Sequence, residues 1–255
     1  MIHSLLSRDL PRSRLVSAVL VLLLVAMLLA PVTVGGLTIM SMFAKIAIFV
    51  VLVGSFDLLL GYTGMISFAH TMYYGIGAYG VGIMLKTLGV GWDAIFVGFL
   101  GGALLSFAIA VGVGLFSMRT KTIFFAMITL AVANAFAVLV NQFYTVTGGH
   151  DGLIFQIPYI LKPAFVIIPR DVLGVPINGT TLSYYLILII CGLLFLLMLR
   201  LVNSPFGRVL QAIRENELRA EALGFNVLRH RVLVSCMAAV LACTAGALNA
   251  LWLRF

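Results

Sequence analysis

Side chains equipped for chemistry are scarce in this sequence. The 255 residues hold eight carboxylates, four histidines and three cysteines. No G-x-x-x-x-G-K-[ST] loop, H-E-x-x-H, C-x-x-C or G-x-S-x-G occurs, and no glycine is followed by lysine, so phosphate cradling, zinc hydrolysis, dithiol exchange and acyl transfer all lack their parts. His70 stands alone among apolar residues, with no acid or cysteine beside it to make a metal site or proton relay, and reads as a hydrogen-bonded interior residue. Cys191, Cys236 and Cys243 lie in apolar runs and read as small packing residues. No catalytic residue and no metal ligand is assigned, and the chain is not expected to be an enzyme.

The chemistry that remains is concentrated in three stretches. Gly61 to Gly82 interleaves Gly61, Gly64, Gly75, Gly77, Gly80 and Gly82 with Ser67, His70 and Tyr74. Glycines beside polar residues in an apolar context mark either close helix packing or a broken, re-entrant helix lining a pathway. The stretch VTGGHDGL around Thr147 to Gly152 is a turn-rich loop. The third, NSPFGRVLQAIRENELRAEALGFN, opens with Ser204 and Pro205, a cap and a first-turn proline, and closes at Gly224 and Asn226. Between them Phe206, Val209, Leu210 and Ile213 recur at i, i+3, i+4, i+7, and Glu215 with Arg219 stands at i, i+4. This spacing predicts one amphipathic helix of about five turns over 204–223, its later half dense in charge.

The elements holding these stretches follow from composition. With 63% hydrophobic and 9% charged residues, the chain cannot cover a water-facing surface and is a membrane protein. Seven apolar runs approach the roughly 20 residues that a bilayer core demands. They are Leu15 to Val34, Leu37 to Leu60, Met72 to Leu88, Ala94 to Phe116, Thr122 to Val140, Leu182 to Leu199 and Val232 to Leu253. The first follows Arg8, Arg12 and Arg14 like a secretory leader, yet its length and the spans behind it favour a retained span. With the N-terminus cytoplasmic, alternation gathers eleven of the 16 basic residues on the inner side, as the positive-inside rule requires. The +8 net charge therefore reports topology, and no nucleic-acid partner is expected.

Within that arrangement 144–181 is an outward loop with short irregular or strand-like pieces, and 200–231 is a cytoplasmic connection. Lys45 and Asp57 share the second span but, twelve residues apart, are separated by about 18 Å and about 120° and cannot pair. Asp57 is expected near an interface, and Lys45 facing another helix or water, or snorkelling outward. The fold expected is all-α, a polytopic helical bundle of about seven spans with a broken or re-entrant glycine-rich segment, forming a single domain over 1–255 with 1–14 cytoplasmic.

Three blocks carry a family resemblance. SPFGRVLQAIRENELRAEALGFNV, GYTGMISFAHTMYYGIGAY and TGGHDGL resemble, in order and spacing, the cytoplasmic segment, the GY-G-(L/M)-S-(F/L)-(A/G)-H block and the TGG-x-GL block of branched-chain amino acid ABC importer permeases, M-type subunit. The resemblance implies that the 204–223 helix is a coupling helix docking on an ATP-hydrolysing subunit, with Arg214, Glu215, Asn216, Glu217, Glu221 and Gly224 at the contact. It implies a translocation path at Gly61, Gly64, Ser67, His70, Tyr74 and Gly75, and a docking loop at Thr147, Gly148, Gly149, Asp151 and Gly152.

The implied partners are a second homologous permease, two ATP-binding-cassette ATPases, a soluble solute-binding protein and membrane lipid. ATP and Mg would be used by the ATPases, and this chain would bind no cofactor. The implied location is a bacterial cytoplasmic membrane. Selectivity would reside mostly in the binding protein, with no deep charged substrate site here. Urea or short-chain amide permeases share these blocks, so the solute class stays open, and an ion-coupled transporter or channel is the alternative from another class. Such permeases continue for further spans where this sequence stops at Phe255, so a truncated or shortened subunit is expected.

Overall fold

The computed structural model describes residues 14–33, 37–117, 122–149, 152–162, 165–172 and 175–254. Each of the seven apolar runs is a helix: α1 (Arg14–Thr33), α2 (Leu37–Thr63), α3 (His70–Thr87), α4 (Trp92–Ser117) and α5 (Thr122–Gln142) come before the long loop. That loop contains the short α6 (Tyr144–Thr147), a 3-10 turn (Tyr159–Leu161) and an antiparallel hairpin, β1 (Val166–Val172) with β2 (Val175–Asn178), in the register Val166 with Asn178 and Val172 with Val175. After it come α7 (Gly179–Val202), α8 (Pro205–Glu215), α9 (Glu217–Ala222) and α10 (Val227–Leu253). The protein is an all-α polytopic membrane bundle, the hairpin being the one sheet among the described residues.

Five helices, α2, α4, α5, α7 and α10, are long and apolar enough to cross a membrane on length and composition. In α1 the apolar stretch is shorter, Leu15–Pro31. Tyrosine and glycine dilute the apolar content of α3, which is tolerable because α3 is packed between α10 and α4 and much of its surface never meets lipid. The bundle is built around α10. Its small residues, including Ala238, Ala239, Ala242, Cys243, Ala245 and Gly246, are buried, so α2, α3 and α4 all reach its backbone closely.

The closest approaches are made at glycines. A Cβ on Gly77 would overlap the Cys243 carbonyl, and one on Gly246 would overlap the Tyr74 carbonyl, so α3 and α10 meet backbone to backbone at two successive levels. On the other flank of α3, a Cβ on Gly80 would stand 2.7 Å from the Gly98 carbonyl oxygen of α4. Glycine is required here by space, since a helix interior otherwise favours alanine by about 1 kcal/mol.

Peripheral α1 is held differently. Pro31 sits inside the helix and has no N–H, which removes the usual partner of the Met27 carbonyl four residues earlier. The fully buried Tyr184 of α7 donates its hydroxyl to that carbonyl at 2.6 Å, and Tyr185 donates to Leu28 O at 3.1 Å. One end of the bundle is closed by the loop: Leu153, Phe155 and Ile157 alternate buried with exposed Ile154 and Gln156, and pack beside Val81, Leu85 and Ala94. The opposite end carries α8 and α9.

Candidate functional site

At the α8 end, Ser204 caps α8 by accepting from Gly207 N, and Pro205 is its first residue. Gly207 lets α8 fold back beneath α7, since a Cβ there would overlap the Val202 carbonyl. Leu210 and Ile213 are buried and Phe206 and Val209 partly buried, so the predicted apolar face is the one that meets the bundle. Phe206 stacks on His230 at the start of α10, with ring centroids 5.6 Å apart.

The predicted single helix is two. Asn216 is extended (φ −159°, ψ 104°), ending α8 and capping α9 by accepting from Arg219 N at 3.0 Å. Asparagine prefers such a cap to a helix interior, so the backbone turns a corner there. That corner removes the geometry of an i, i+4 pair between Glu215 and Arg219. The ion pair formed is instead Glu217 with Arg231, two oxygens on two guanidinium nitrogens at 2.9 Å each, which ties α9 to α10. Gly224 ends α9 at φ +89°, as its type predicts, whereas Asn226 belongs to the next element and caps α10.

This connection turns both charge and grease outward. Glu215, Glu217 and Glu221 are exposed, and among them Leu218 is 78% and Leu223 69% exposed. Leucines presented this way on a rigid, capped corner make a surface suited to a protein partner. The sequence reading passed over them, although apolar residues inside a charge-dense stretch are the available signal.

Arg214 turns the other way. Its guanidinium donates to the Gly61 carbonyl in the last turn of α2, and its Cγ lies 3.4 Å from where a Gly64 side chain would begin. Asp57 and Glu215 share with Arg214, Gln211, Tyr62 and Gly61 an open hollow of about 690 Å³ between α2 and α8. Asp57 is exposed into this hollow near the end of its helix, and Lys45 is exposed on the same helix nearer the other end. A Cβ on Gly61 would collide with the Asp57 carboxylate, so glycine at this position is what allows the acid its place.

From Gly61 the glycine-rich segment breaks. Gly64 adopts φ +71° with its N–H on Leu60 O, and Met65 N–H reaches Leu59 O, so α2 closes with a left-handed cap. Gly64 to Ala69 is non-helical, and buried Ser67 lies within it. Phe68 N–H donates to Thr129 Oγ1 of α5 at 3.1 Å. His70 opens α3 beside Phe56, ring centroids 5.2 Å apart. Phe56 precedes Thr63 by seven residues, or about 10 Å of helix, so the chain re-enters the bundle by that distance before α3 begins.

His70 is buried as expected of an interior residue, with the Ser55 backbone as its polar neighbour and its ring edge-on to Phe56 and Tyr73. Tyr74 is half-buried and stacked on Phe49, and a Cβ on Gly75 would meet Phe136 at 3.3 Å. Gly61, Gly64, Ser67, His70, Tyr74 and Gly75 thus follow one route from the α8 end into the bundle. Thr129, which anchors it, was not singled out in the sequence, though a lone hydroxyl in an apolar run was its signal. Among the described residues no three His, Cys, Asp or Glu side chains gather as a metal site would require.

In the far loop Thr147 donates to Val140 O at 2.6 Å and to Phe143 O at 2.9 Å, and accepts from Gly149 N. Gly148, Gly149 and Gly152 all have positive φ, so this motif is a tightly wound turn. Asp151 lies outside the described residues, as do Arg8, Arg12, Arg119 and Lys121.

Comparison with known proteins adds relatives. The family described as "Branched-chain amino acid transport system / permease component" matches residues 38–254. The "Probable branched-chain amino acid transport permease protein LivM" of Methanocaldococcus jannaschii is 26% identical over 78% of this chain and 63% of its own length. For the high-affinity branched-chain amino acid transport system permease proteins of Escherichia coli K12, LivM is 25% identical over 80% of this chain and 50% of its own length. LivH from the same organism is 24% identical over 84% of this chain and 68% of its own length. The chain therefore spans about half to two thirds of the curated relatives it matches. No solved structure matches it.

Proposed function

The chain belongs to the permease-component family of branched-chain amino acid transport systems, and from that premise we propose that it is a membrane subunit of an ATP-binding-cassette importer carrying branched-chain or related amino acids into the cell. In this reading the α8–α9 end faces the cytoplasm, as does the N-terminus. Of two ATPases, which use ATP and Mg, one docks on the corner at Asn216, contacting Leu218, Leu223, Glu215, Glu217 and Glu221. A second permease completes the path, and a soluble binding protein delivers solute to the loop that includes Thr147, Gly148, Gly149 and Gly152. Solute then passes along the route from Tyr74 and His70 toward Gly61. Of the two types of relative, the M-type is the one whose motif blocks the sequence resembles.

The observation that carries this reading is the α8–α9 corner. It is capped at Ser204 and Asn216 and pinned to α10 by Glu217 and Arg231, yet it presents leucines and carboxylates outward. A span cannot sense hydrolysis in a separate subunit without a stiff element between them, and this corner has both the stiffness and the unpartnered face. The test is co-purification of the chain with its transporter ATPases, followed by reconstitution with binding protein. Leucine is expected to stimulate ATP hydrolysis, and Leu218→Asp with Leu223→Asp to abolish that stimulation while membrane insertion persists. Transport by the chain alone, or unchanged stimulation in the double variant, would overturn the assignment.

A further inference from the structure

The geometry points to Arg214 as a strut that carries movement of the α8–α9 corner into the re-entrant segment Gly64 to Ala69, and so as a positioning residue for transport instead of a contact for the ATPase. This rests on the proposed function, because it presumes that a partner moves the corner.

The strut is defined at both ends. Arg214 stands in the last turn of α8, two residues before the Asn216 corner, so it moves with the element that a partner would push. Its guanidinium donates to the Gly61 carbonyl, one of the carbonyls a helix end leaves without a partner in its own helix, and the end where the peptide dipoles favour a cation. Its stem lies against Gly64, whose positive φ makes it the pivot between α2 and the non-helical stretch. Force applied to α8 therefore arrives at the residue where the backbone reverses.

Beyond Gly64 the segment is held by core packing of Met65 and Ala69 and by one bond to a neighbouring helix. Phe68 N–H to Thr129 Oγ1, at 3.1 Å, joins a single amide of this stretch to a single hydroxyl of α5. Beyond it, His70 is buried and packs edge-on against Phe56 and Tyr73 at the start of α3. The segment is thus tied at its start to an arginine on the coupling corner and at its end to α5 by a single directional bond. This is the construction expected of an element with two positions.

The test uses the complete transporter with its binding protein in proteoliposomes. Cys191, Cys236 and Cys243 are replaced by alanine, and Ile66→Cys, whose parent side chain is exposed on the segment, carries a spin label. The label's mobility is compared without nucleotide and after trapping with ATP and vanadate. With Arg214 present the spectrum is expected to change on trapping. In Arg214→Gln it is expected to stay fixed, although ATP is still hydrolysed, with transport reduced at least tenfold. Arg214→Lys, which keeps a cation able to reach the Gly61 carbonyl, is expected to restore part of both. A nucleotide-dependent spectrum in Arg214→Gln equal to that of the parent would overturn the strut, as would a parent spectrum that ignores nucleotide. Failure of the parent complex to bind any ATPase would overturn the proposed function and the strut together.

Discussion

The glycines of one 22-residue stretch, Gly61 to Gly82, do two different jobs. Gly77 and Gly80 lie in mid-helix with ordinary backbone angles, and what matters is the atom they lack: a Cβ on either would run into the backbone of α10 or α4. Gly64 has room around it, its hypothetical Cβ meeting only the Arg214 stem at 3.4 Å, and what matters is its φ of +71°. The first pair fixes three helices against one another, whereas the second kind lets the chain reverse. A static brace and a pivot are therefore adjacent in sequence, and a mobile segment needs something rigid to move against.

Substitutions at these sites separate the two jobs. The largest effect is expected from Gly77→Val, which forces α3 off α10. A loss of about 3 kcal/mol, the upper end for overpacking, should appear as collapse of folded, monodisperse protein in detergent unfolding. Gly64→Ala should cost less, about 1–2 kcal/mol for a left-handed residue, leaving insertion intact but reducing transport. Gly64→Asn, which tolerates that conformation better, should recover part of the loss. If Gly64→Ala proved as damaging to folding as Gly77→Val, the pivot would be a brace as well. The smallest effect belongs to Gly192→Ala in α7, where a Cβ meets nothing within 4 Å. It should raise thermal stability slightly, by up to about 1 kcal/mol.

The sequence located the apolar helices because length and apolarity can be counted residue by residue. It counted about seven spans, however, where five of the described helices are long and apolar enough to cross a membrane. It carried the start of α8 and the end of α9 too, since a side-chain cap at Ser204, a missing N–H at Pro205 and a positive φ at Gly224 are all local effects. The corner at Asn216 escaped because a polar residue in a charged helix looks the same whether it faces solvent or caps a new turn. The Glu217 and Arg231 pair escaped for a related reason: fourteen residues and a chain reversal separate its members. Which glycines brace and which pivot depends on what another helix places opposite them, and periodicity holds no information about that. The buried alternation of Leu153, Phe155 and Ile157 was legible in principle, but it fell in a loop defined by its turns.

The bond between Tyr184 and the carbonyl that Pro31 frees also bears on how the molecule is made. Its partners stand 157 residues apart, so at roughly 5–20 residues per second the ribosome needs on the order of 8–30 s to deliver the second after the first. Throughout that interval the Met27 carbonyl lacks the donor that it has in the finished bundle. Arrival of α7 ends that interval with one phenol, so a single hydrogen bond ties α1 to a helix made much later.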